Sequence, residues 1–251
     1  MFATTFGRPY RASVPNDLHM SFTTDLTKEV DEVFRASWQK RTGYVVPEPS
    51  DLKLGNDAVE LEGTVLYADL AESTKLVDSE TDTFAAEVYK TYLLCAARVI
   101  RKNDGVVTAF DGDRVMAVFI GDSKNSSAAR AALQINYAVN EIVNPSLKRV
   151  YTSNDYTVRQ AVGIDTSDLL VARTGIRGSN DLVWVGKAAN HAAKLCALRD
   201  GHPSHITEAV FKRLSKETKY SSDGTQTMWE RCVWSERNEI IYRSNWQWNP
   251  G

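Results

Sequence analysis

The sequence predicts an α+β fold of the ferredoxin-like type, in which the order β-α-β-β-α-β builds one sheet covered by helices. Three observations predict it. Apolar runs flank residues 82–102, whose own apolar positions repeat at helical spacing. Asp111 and Gly112 separate two further apolar runs, which is a strong short-range hairpin signal. A second helical stretch at 126–143 precedes the next strand and completes the order.

Residues 1–60 precede this unit. Residues 1–22 lack periodicity and are predicted to be extended or disordered, whereas 24–41 carries apolar side chains at helical spacing and predicts one amphipathic helix. Residues 43–56 contain Pro and Gly and are predicted to be a linker. We therefore expect an N-terminal arm and helix over residues 1–60 and a main domain over 61–251.

The first half of the main domain has clear start and stop signals. The apolar run 63–70 predicts a strand that ends next to Asp69. The helix 82–102 is stopped by Asn, Asp and Gly, which favour a helix C-terminus. Strands are predicted at 105–110 and 114–120 because both are short apolar runs on either side of the Asp-Gly pair.

The second half repeats the pattern less regularly. The helix 126–143 is predicted to end at an Asn-Pro pair, because proline disfavours a helical residue before it. Three separate strands follow, then a helix that begins near Gly186, and the C-terminal segment with four tryptophans alternates like two strands. The three strands are predicted at 157–164, 169–174 and 182–185.

Composition excludes several classes of function. With 30 basic and 32 acidic residues the net charge is -2, which disfavours binding to nucleic acid. No stretch reaches the about 18 apolar residues of a membrane span, and no signal peptide is evident, so we expect a cytoplasmic protein without a membrane partner. The three cysteines lie far apart and are expected to be buried and reduced.

The strand order brings two distant aspartates together. In this topology the third strand runs antiparallel to the first, so the end of the first strand at Asp69 lies beside the start of the third at Asp113. Adjacent carboxylates repel each other, and a divalent cation with oxygen ligands relieves the repulsion. The turn after Asp69 opens toward a helix and is suited to hold phosphates, which together predicts two-metal phosphoryl or nucleotidyl transfer. The candidate substrate-binding residues of this turn are Leu70, Ala71, Glu72, Ser73 and Thr74.

Three motifs resemble the catalytic domain of the class III nucleotide cyclases. They are YADLAESTKL, FDGDRVMAVF and VGKAANHAAKL, in the order and spacing of that family. The resemblance implies that Asp69 and Asp113 bind two metal ions, that Asn190 orients the ribose, and that Lys194 stabilises the phosphates. Lys194 stands where the family has arginine, so it keeps the charge but lacks the planar fork. The resemblance also implies a head-to-tail homodimer with the active sites at its interface.

Two positions depart from the family's purine-binding pattern. Where the adenylate cyclases have a lysine and an acidic or hydroxyl residue that read adenine, this chain has Ala109 and Val183. A pocket without those partners leaves the polar edge of adenine unpaired. The usual purine readout is therefore missing, and Ala109 and Val183 are the candidate positions next to the base.

In these features the chain resembles the pyrimidine cyclases of the bacterial anti-phage Pycsar system, with the uridylate type favoured on overall likeness. That implies conversion of UTP to cUMP with Mn²⁺ or Mg²⁺, and a product that acts on a separate effector protein. The alternatives are an atypical adenylate cyclase that makes cAMP and a degenerate nucleotide-binding module. A ferredoxin-like RNA-binding domain is disfavoured, because the exposed aromatic strand motif it needs is not apparent.

Overall fold

The computed structural model describes residues 16–251, with side chains described from residue 21 onward. The strands are β1 (Gln39–Thr42), β2 (Asp57–Leu70), β3 (Val106–Asp111), β4 (Arg114–Phe119), β5 (Gln160–Ile176), β6 (Ser179–Val185), β7 (Ser204–Thr207), β8 (Glu230–Trp234) and β9 (Glu239–Ser244). The helices are α1 (Asn16–Arg35), α2 (Ser73–Ser79), α3 (Asp82–Lys102), α4 (Lys124–Tyr137), α5 (Asn144–Val150), α6 (Lys187–Leu195), α7 (Glu208–Arg213) and α8 (Lys216–Lys219). A short 3-10 helix (Pro49–Asp51) and a π-helical segment (Ala138–Val143) complete the elements.

One mixed sheet contains all of these strands. Its order is β3-β4-β2-β5-β7-β9-β8, while β1 pairs with the start of β2 and β6 pairs with the end of β5. Strand β2 runs antiparallel to both β4 and β5. The first four strands of the main domain therefore lie in the ferredoxin-like order that the sequence predicts.

Helices cover both faces of the sheet. Helices α3 and α4 pack on one face through a core that includes Tyr92, Phe119 and Leu133. Helix α6 packs on the other face against Val65 and neighbouring apolar residues. This helix lies directly on β5, because a Cβ atom at Gly163 would stand 2.2 Å from the carbonyl oxygen of Ala192. The close approach fixes α6 over the centre of the sheet.

The N-terminal part differs from the prediction. Helix α1 begins at Asn16, within the stretch predicted to be extended, and the predictions for residues 1–15 lie outside the described residues. Residues after Arg35 are not helical, since Gln39–Thr42 forms β1 and pairs in parallel with β2. The side chain of Asn56 ends the helix by donating to the carbonyls of Val33 and Ala36. Strand β2 begins at Asp57, and the division at residue 60 remains a prediction.

Two predicted breaks are absent. The strands predicted at 157–164 and 169–174 form one strand, β5, because β2 pairs with it over its polar middle, where Thr166 bonds to Thr64.

The helix predicted to stop before Pro145 continues through α5, since Pro145 lies at the start of that helix, where its missing N–H costs nothing. Asn144 reinforces the junction by exchanging two hydrogen bonds with the backbone of Val158.

The hairpin between β3 and β4 is displaced by one residue from the predicted turn. Asp111 pairs with Arg114, so the central turn residues are Gly112 and Asp113. Only Gly112 has a positive φ, 61°, as a turn of type II′ requires. Asp113 therefore lies at the tip of the hairpin, next to the end of β2. Within residues 16–251, no helix has the length and apolar character needed to cross a bilayer.

Candidate active site

Asp69 and Asp113 lie side by side at one end of the sheet. Asp69 pairs in register with Arg114, the first residue of β4, so Asp113 in the preceding turn is its diagonal neighbour. The Asp69 side chain is 19% exposed. Oδ2 of Asp113 is buried and has no hydrogen-bond partner among the described residues. The fold thus brings together the two acids that the strand order predicts to meet; we call this pair the acid edge.

The environment of Asp69 disfavours its ionised form. Burial raises the pKa of Asp69, the nearby charge of Asp113 raises it further, and the guanidinium groups of Arg199 and Arg114 only partly oppose this. Such a carboxylate pair binds a cation favourably. Carboxylate oxygens suit Mg²⁺ or Mn²⁺, and the orphaned oxygen of Asp113 is a free ligand atom.

The acid edge supplies only part of a coordination shell. Within residues 16–251, no three or more His, Cys, Asp and Glu side chains form a metal-binding group. Magnesium usually retains several waters and binds through one or two carboxylates together with substrate phosphates. The two acids therefore fit ions that arrive with a triphosphate better than they fit a permanently bound structural ion.

The side chains packed beneath the acid edge are buried and unreactive at neutral pH. Tyr92 on α3 is fully buried, and its hydroxyl has no hydrogen-bond partner among the described residues. Burial, reinforced by Asp69, raises the pKa of the Cys196 thiol to about 12. Cys196 is therefore a protonated thiol at neutral pH. All three cysteines are free, as the sequence predicts, but only Cys196 is buried, whereas Cys95 and Cys232 are half-buried.

A cavity of about 580 Å³ is bordered by the turn after β2 and by Arg199, which contacts Asp69; it therefore lies next to the acid edge, although neither acid lines it. Its lining includes four of the five predicted residues of that turn, whereas the side chain of Leu70 is buried in the core. Leu70 can therefore offer a ligand only its backbone. The lining residues from the turn are Ala71, Glu72, Ser73 and Thr74.

The positive charge of this cavity comes from arginines rather than from the turn itself. The N–H of Ala71 already donates to the carbonyl of Arg159 at 2.8 Å, so this backbone group is not available to a phosphate. Arg159 and Arg199 both line the cavity. Arg159 forms an ion pair with Glu72, and Arg199 donates to Oδ2 of Asp69 at 3.3 Å. Sequence reasoning overlooked both arginines, because their elements come near the turn only in the folded chain.

A second cavity, of about 420 Å³, contains the predicted base-reading positions. Ala109 and Val183 both line it, together with Asn190 on α6. The fold thus joins these three residues as the sequence predicts. Its wall also carries the ion pair of Arg114 and Asp111, whose side chains are 2.8 Å apart, and the Arg114 guanidinium lies 5.3 Å from the centre of the Tyr67 ring.

Asn190 and Lys194 project from the same side of α6. Both are exposed, and Lys194 forms no ion pair within residues 21–251. The neighbouring His191, in contrast, is buried with its ring against Trp234. Asn190 lines the second cavity but not the cavity beside the acid edge. The chain therefore carries two half-sites: the acid edge with its arginine-lined cavity, and the α6 wall with Asn190 and Lys194.

Solved structures define the class of protein. The guanylyl cyclase Cya2 matches 76% of this chain and 95% of its own, with a TM-score of 0.63 and 17% identity. The adenylyl cyclase CyaB from P. aeruginosa matches 74% and 95%, with a TM-score of 0.58 and 18% identity. A dimeric guanylyl cyclase domain from the fungus Blastocladiella emersonii matches 75% and 99%, with a TM-score of 0.57 and 14% identity. The fold is that of a class III nucleotide cyclase catalytic domain.

Sequence relatives define the family. Curated uridylate cyclases from Xanthomonas perforans and Burkholderia cepacia are 52% and 47% identical to this chain, each over 231 residues that cover 91% of it and 99% of the relative. A uridylate cyclase from Rhodovulum sp. is 38% identical over 92% of this chain and 99% of its own. A comparison with protein-family profiles found no match. The chain belongs to the uridylate cyclase family and is a nucleotide cyclase.

Proposed function

We propose that the protein converts UTP to 3′,5′-cyclic UMP and pyrophosphate. The 3′-hydroxyl oxygen bonds to the α-phosphorus, its proton leaves, and the bond from the α-phosphorus to the bridging oxygen breaks so that pyrophosphate departs. Two divalent ions, Mn²⁺ or Mg²⁺, are held by Asp69 and Asp113. When bound, they lower the pKa of the attacking hydroxyl and neutralise the leaving phosphates.

The acid edge is the observation that carries this proposal. Two carboxylates meet there, one with a raised pKa and the other with an orphaned oxygen, beside a cavity with two arginines. Arg159 and Arg199 in this cavity attract the β- and γ-phosphates and keep the triphosphate tail next to the acids. Holding the reactive groups in line supplies much of the rate enhancement in reactions of this type.

The α6 wall completes the active site from a second copy of the chain. Asn190 lines the second cavity, Lys194 follows one turn later on α6, and neither borders the cavity next to the acid edge, which supports a site completed across an interface. We propose a head-to-tail homodimer in which Asn190 orients the ribose and Lys194 stabilises charge on the phosphates. The motif resemblance to the class III cyclases supports this assembly, whereas the guanylyl cyclase domain from Blastocladiella emersonii is described as a non-canonical dimer.

The second cavity favours uracil over adenine. Uracil presents two carbonyl acceptors on either side of one N–H donor, and the adjacent Arg114 and Asp111 offer matching donors and an acceptor. Adenine presents an amino group and a ring nitrogen, for which Ala109 and Val183 have no partners. A site built to hydrogen-bond one base rejects, by about 10⁴-fold, a base that leaves the polar groups of the site unpaired. The names of the three relatives support the same substrate.

The test is to incubate the purified protein with each of the four ribonucleoside triphosphates and Mn²⁺ or Mg²⁺, and to identify the products by mass spectrometry. We expect cUMP from UTP as the main product. GTP is the sharpest control, because guanine presents a carbonyl and an N–H in a similar arrangement. A preference for ATP would establish the atypical adenylate cyclase instead, and binding without any cyclic product would establish the degenerate module.

The shared active site is tested by mixing two inactive variants. Asp69→Asn removes a metal ligand and Asn190→Ala removes the ribose contact, so each homodimer lacks both of its sites. A mixed dimer retains one site with both wild-type half-sites. We expect activity to appear when the two variants are co-expressed, and its absence despite proven mixed dimers would refute the assembly.

We also propose that the product is a second messenger in anti-phage defence, acting in the cytoplasm on a separate effector protein. The resemblance to the Pycsar cyclases supports this role. The test is to infect bacteria that express the wild-type chain or Asp113→Asn and to measure cUMP over time. A rise only with the wild-type chain is expected, and constant cUMP in both strains would contradict the role.

A further inference from the structure

Arg199 is attached to two parts of the molecule at once. It lies in the loop after α6, and its Nη1 donates to the carbonyls of Cys196 at 2.8 Å and Leu198 at 3.1 Å. The Cys196 carbonyl lies directly after α6, where backbone acceptors lack helical partners, and the Leu198 carbonyl belongs to the loop that follows. The other nitrogen, Nη2, donates to Oδ2 of Asp69 at 3.3 Å. The guanidinium group therefore connects the end of α6 to the acid edge.

The same side chain also faces the cavity of about 580 Å³. Arg199 lines it opposite the turn that carries Glu72, and its side chain is 43% exposed. Arg159, the second arginine of the cavity, is paired with Glu72 and has no contact with the acids. Only Arg199 of these two thus reaches both the acid edge and the space next to it.

The hydrogen bond between Arg199 and Asp69 is weak enough for Arg199 to bind another partner in its place. It is a single contact of 3.3 Å, longer than the about 2.7–2.9 Å of a strong charge-assisted hydrogen bond. An arginine that binds a phosphate commonly does so with two parallel N–H donors. A triphosphate in the cavity would therefore offer this guanidinium a stronger partner than Asp69 does. A divalent ion and Arg199 also compete for Asp69, because both approach the same carboxylate oxygen.

We propose that Arg199 exchanges Asp69 for the triphosphate when the nucleotide binds, and thereby frees Oδ2 of Asp69 for a divalent ion. This inference rests on the proposed function, since it takes Asp69 as a metal ligand and the cavity as the triphosphate site. Its consequence is coupling: the triphosphate raises the affinity for the metal, and the metal raises the affinity for the triphosphate by the same factor. The acids thus become fully available only when substrate is present.

The proposal predicts opposite effects of one substitution on two ligands. In Arg199→Gln we expect Mn²⁺ to bind about two- to fivefold more tightly without nucleotide, because an exposed competing charge has been removed. The same variant should bind 3′-deoxy-UTP, which lacks the attacking hydroxyl and cannot cyclise, several-fold more weakly. Free Mn²⁺ is measured by electron paramagnetic resonance and 3′-deoxy-UTP binding by isothermal titration calorimetry.

Arg159→Gln is the matched control. It removes the other arginine of the cavity, so 3′-deoxy-UTP binding should weaken while Mn²⁺ affinity without nucleotide stays unchanged. Unchanged or weaker Mn²⁺ binding in Arg199→Gln would overturn the exchange. Should that variant fail to fold, Arg199→Lys, which lacks the fork that spans the helix end and Asp69, is expected to shift both affinities in the same directions by smaller amounts.

Asp69→Asn separates this proposal from the proposed function. If Asp69→Asn retains wild-type Mn²⁺ affinity, Asp69 is not a metal ligand and the proposed function itself fails. If Asp69→Asn loses Mn²⁺ while Arg199→Gln binds it as the wild type does, only the exchange fails. The expected pattern is loss of Mn²⁺ binding in the first variant and tighter binding in the second.

Discussion

Two groups of charged residues are contacted by consecutive residues of one loop, Arg199 and Asp200, and differ in how their charges are balanced. The acid edge, Asp69 and Asp113, has one long contact to Arg199 and one oxygen without a partner among the described residues. The next residue, Asp200, belongs to a set in which each carboxylate meets a cation. We call this set the ion-pair ladder; its members are Asp200, His205, Glu230 and Arg243.

The ion-pair ladder is closely bonded. Arg243 donates to Asp200 at 3.0 Å and to both oxygens of Glu230 at 2.9 and 3.2 Å. Nε2 of His205, which is fully buried, lies 2.9 Å from the other oxygen of Asp200. These bonds join β7, β8 and β9 to the loop that carries Arg199.

The difference separates structural charge from functional charge. In the ion-pair ladder each acid is already satisfied, so the group stabilises the fold and has no capacity for a ligand. At the acid edge the compensation is incomplete, and on α6 the cation Lys194 has no partner within residues 21–251. Incompletely compensated acids and an unpaired cation on one chain are what the proposed head-to-tail dimer requires.

The largest expected effect is loss of turnover in Asp113→Asn. The substitution removes the negative charge of the carboxylate proposed to bind metal, so kcat should fall by at least about 10²-fold. This exceeds the effect of changing residues that only support metal ligands. Because it also relieves repulsion with Asp69, the melting temperature should stay the same or rise by about 2–4 °C. Cyclase assays and thermal unfolding check both. A clear drop in melting temperature would mean that Asp113 stabilises the fold, as the ion-pair ladder does.

The next effect concerns Lys194. Lys194→Ala removes the unpaired cation and should lower kcat about tenfold or more with little change in unfolding temperature, since the side chain is exposed and unpaired. Lys194→Arg keeps the charge and adds the planar fork, so we expect activity equal to or above that of the wild type. Equal activity in all three proteins would show that Lys194 is an ordinary surface lysine.

Arg243→Gln should act on stability instead. It leaves Asp200 and Glu230 without their shared cation, and because Arg243 and Glu230 are solvent-accessible the melting temperature should fall only modestly, by about 2–4 °C. Residual kcat should stay within a few-fold of the wild type at a temperature where the variant is folded. A loss of activity as large as in Asp113→Asn would remove the distinction between the two groups.

The sequence predicted the acid edge better than the elements around it. Asp69 and Asp113 could be placed because strand order alone determines which strand ends are neighbours, and the order follows from the succession of helices and strands. Ala109, Val183 and Asn190 meet for the same reason. All of these residues lie within a regular strand or helix or directly at its end.

The errors arose where tertiary contacts outweigh local signals. Pro145 was predicted to end a helix, but it lies at a first-turn position where proline is tolerated. The polar stretch after Ile164 was predicted to interrupt a strand, yet Thr166 and Asp165 find partners on β2 and β7. Arg159 and Arg199 belong to no motif, so only the folded chain reveals that they line one cavity with the turn.

The smallest expected effect is the pH dependence of the ion-pair ladder. Burial lowers the pKa of His205 although Asp200 opposes this, and the other groups facing it are His202 and Arg243. Burial opposes ionisation of Asp200, but His205 and Arg243 outweigh it and lower its pKa to about 2. Between the folded pKa of His205 and its ordinary value of 6.5, the unfolded chain binds more protons, so stability falls as the pH drops below 6.5.

His205→Gln should reduce this dependence, because glutamine can still donate to Asp200 but does not titrate. We expect the melting temperature of the wild type to fall by about 2–4 °C more than that of the variant between pH 7.5 and pH 5.5, measured by circular dichroism. The stability that Asp200 contributes is unchanged between pH 7.5 and pH 5.5. It is fully present above pH 3.8, the ordinary pKa of an aspartate, and is lost only as the pH falls toward about 2. Equal slopes in the two proteins would mean that His205 is not the titrating group, and the buried His191, whose pKa burial also lowers, would be the next residue to replace.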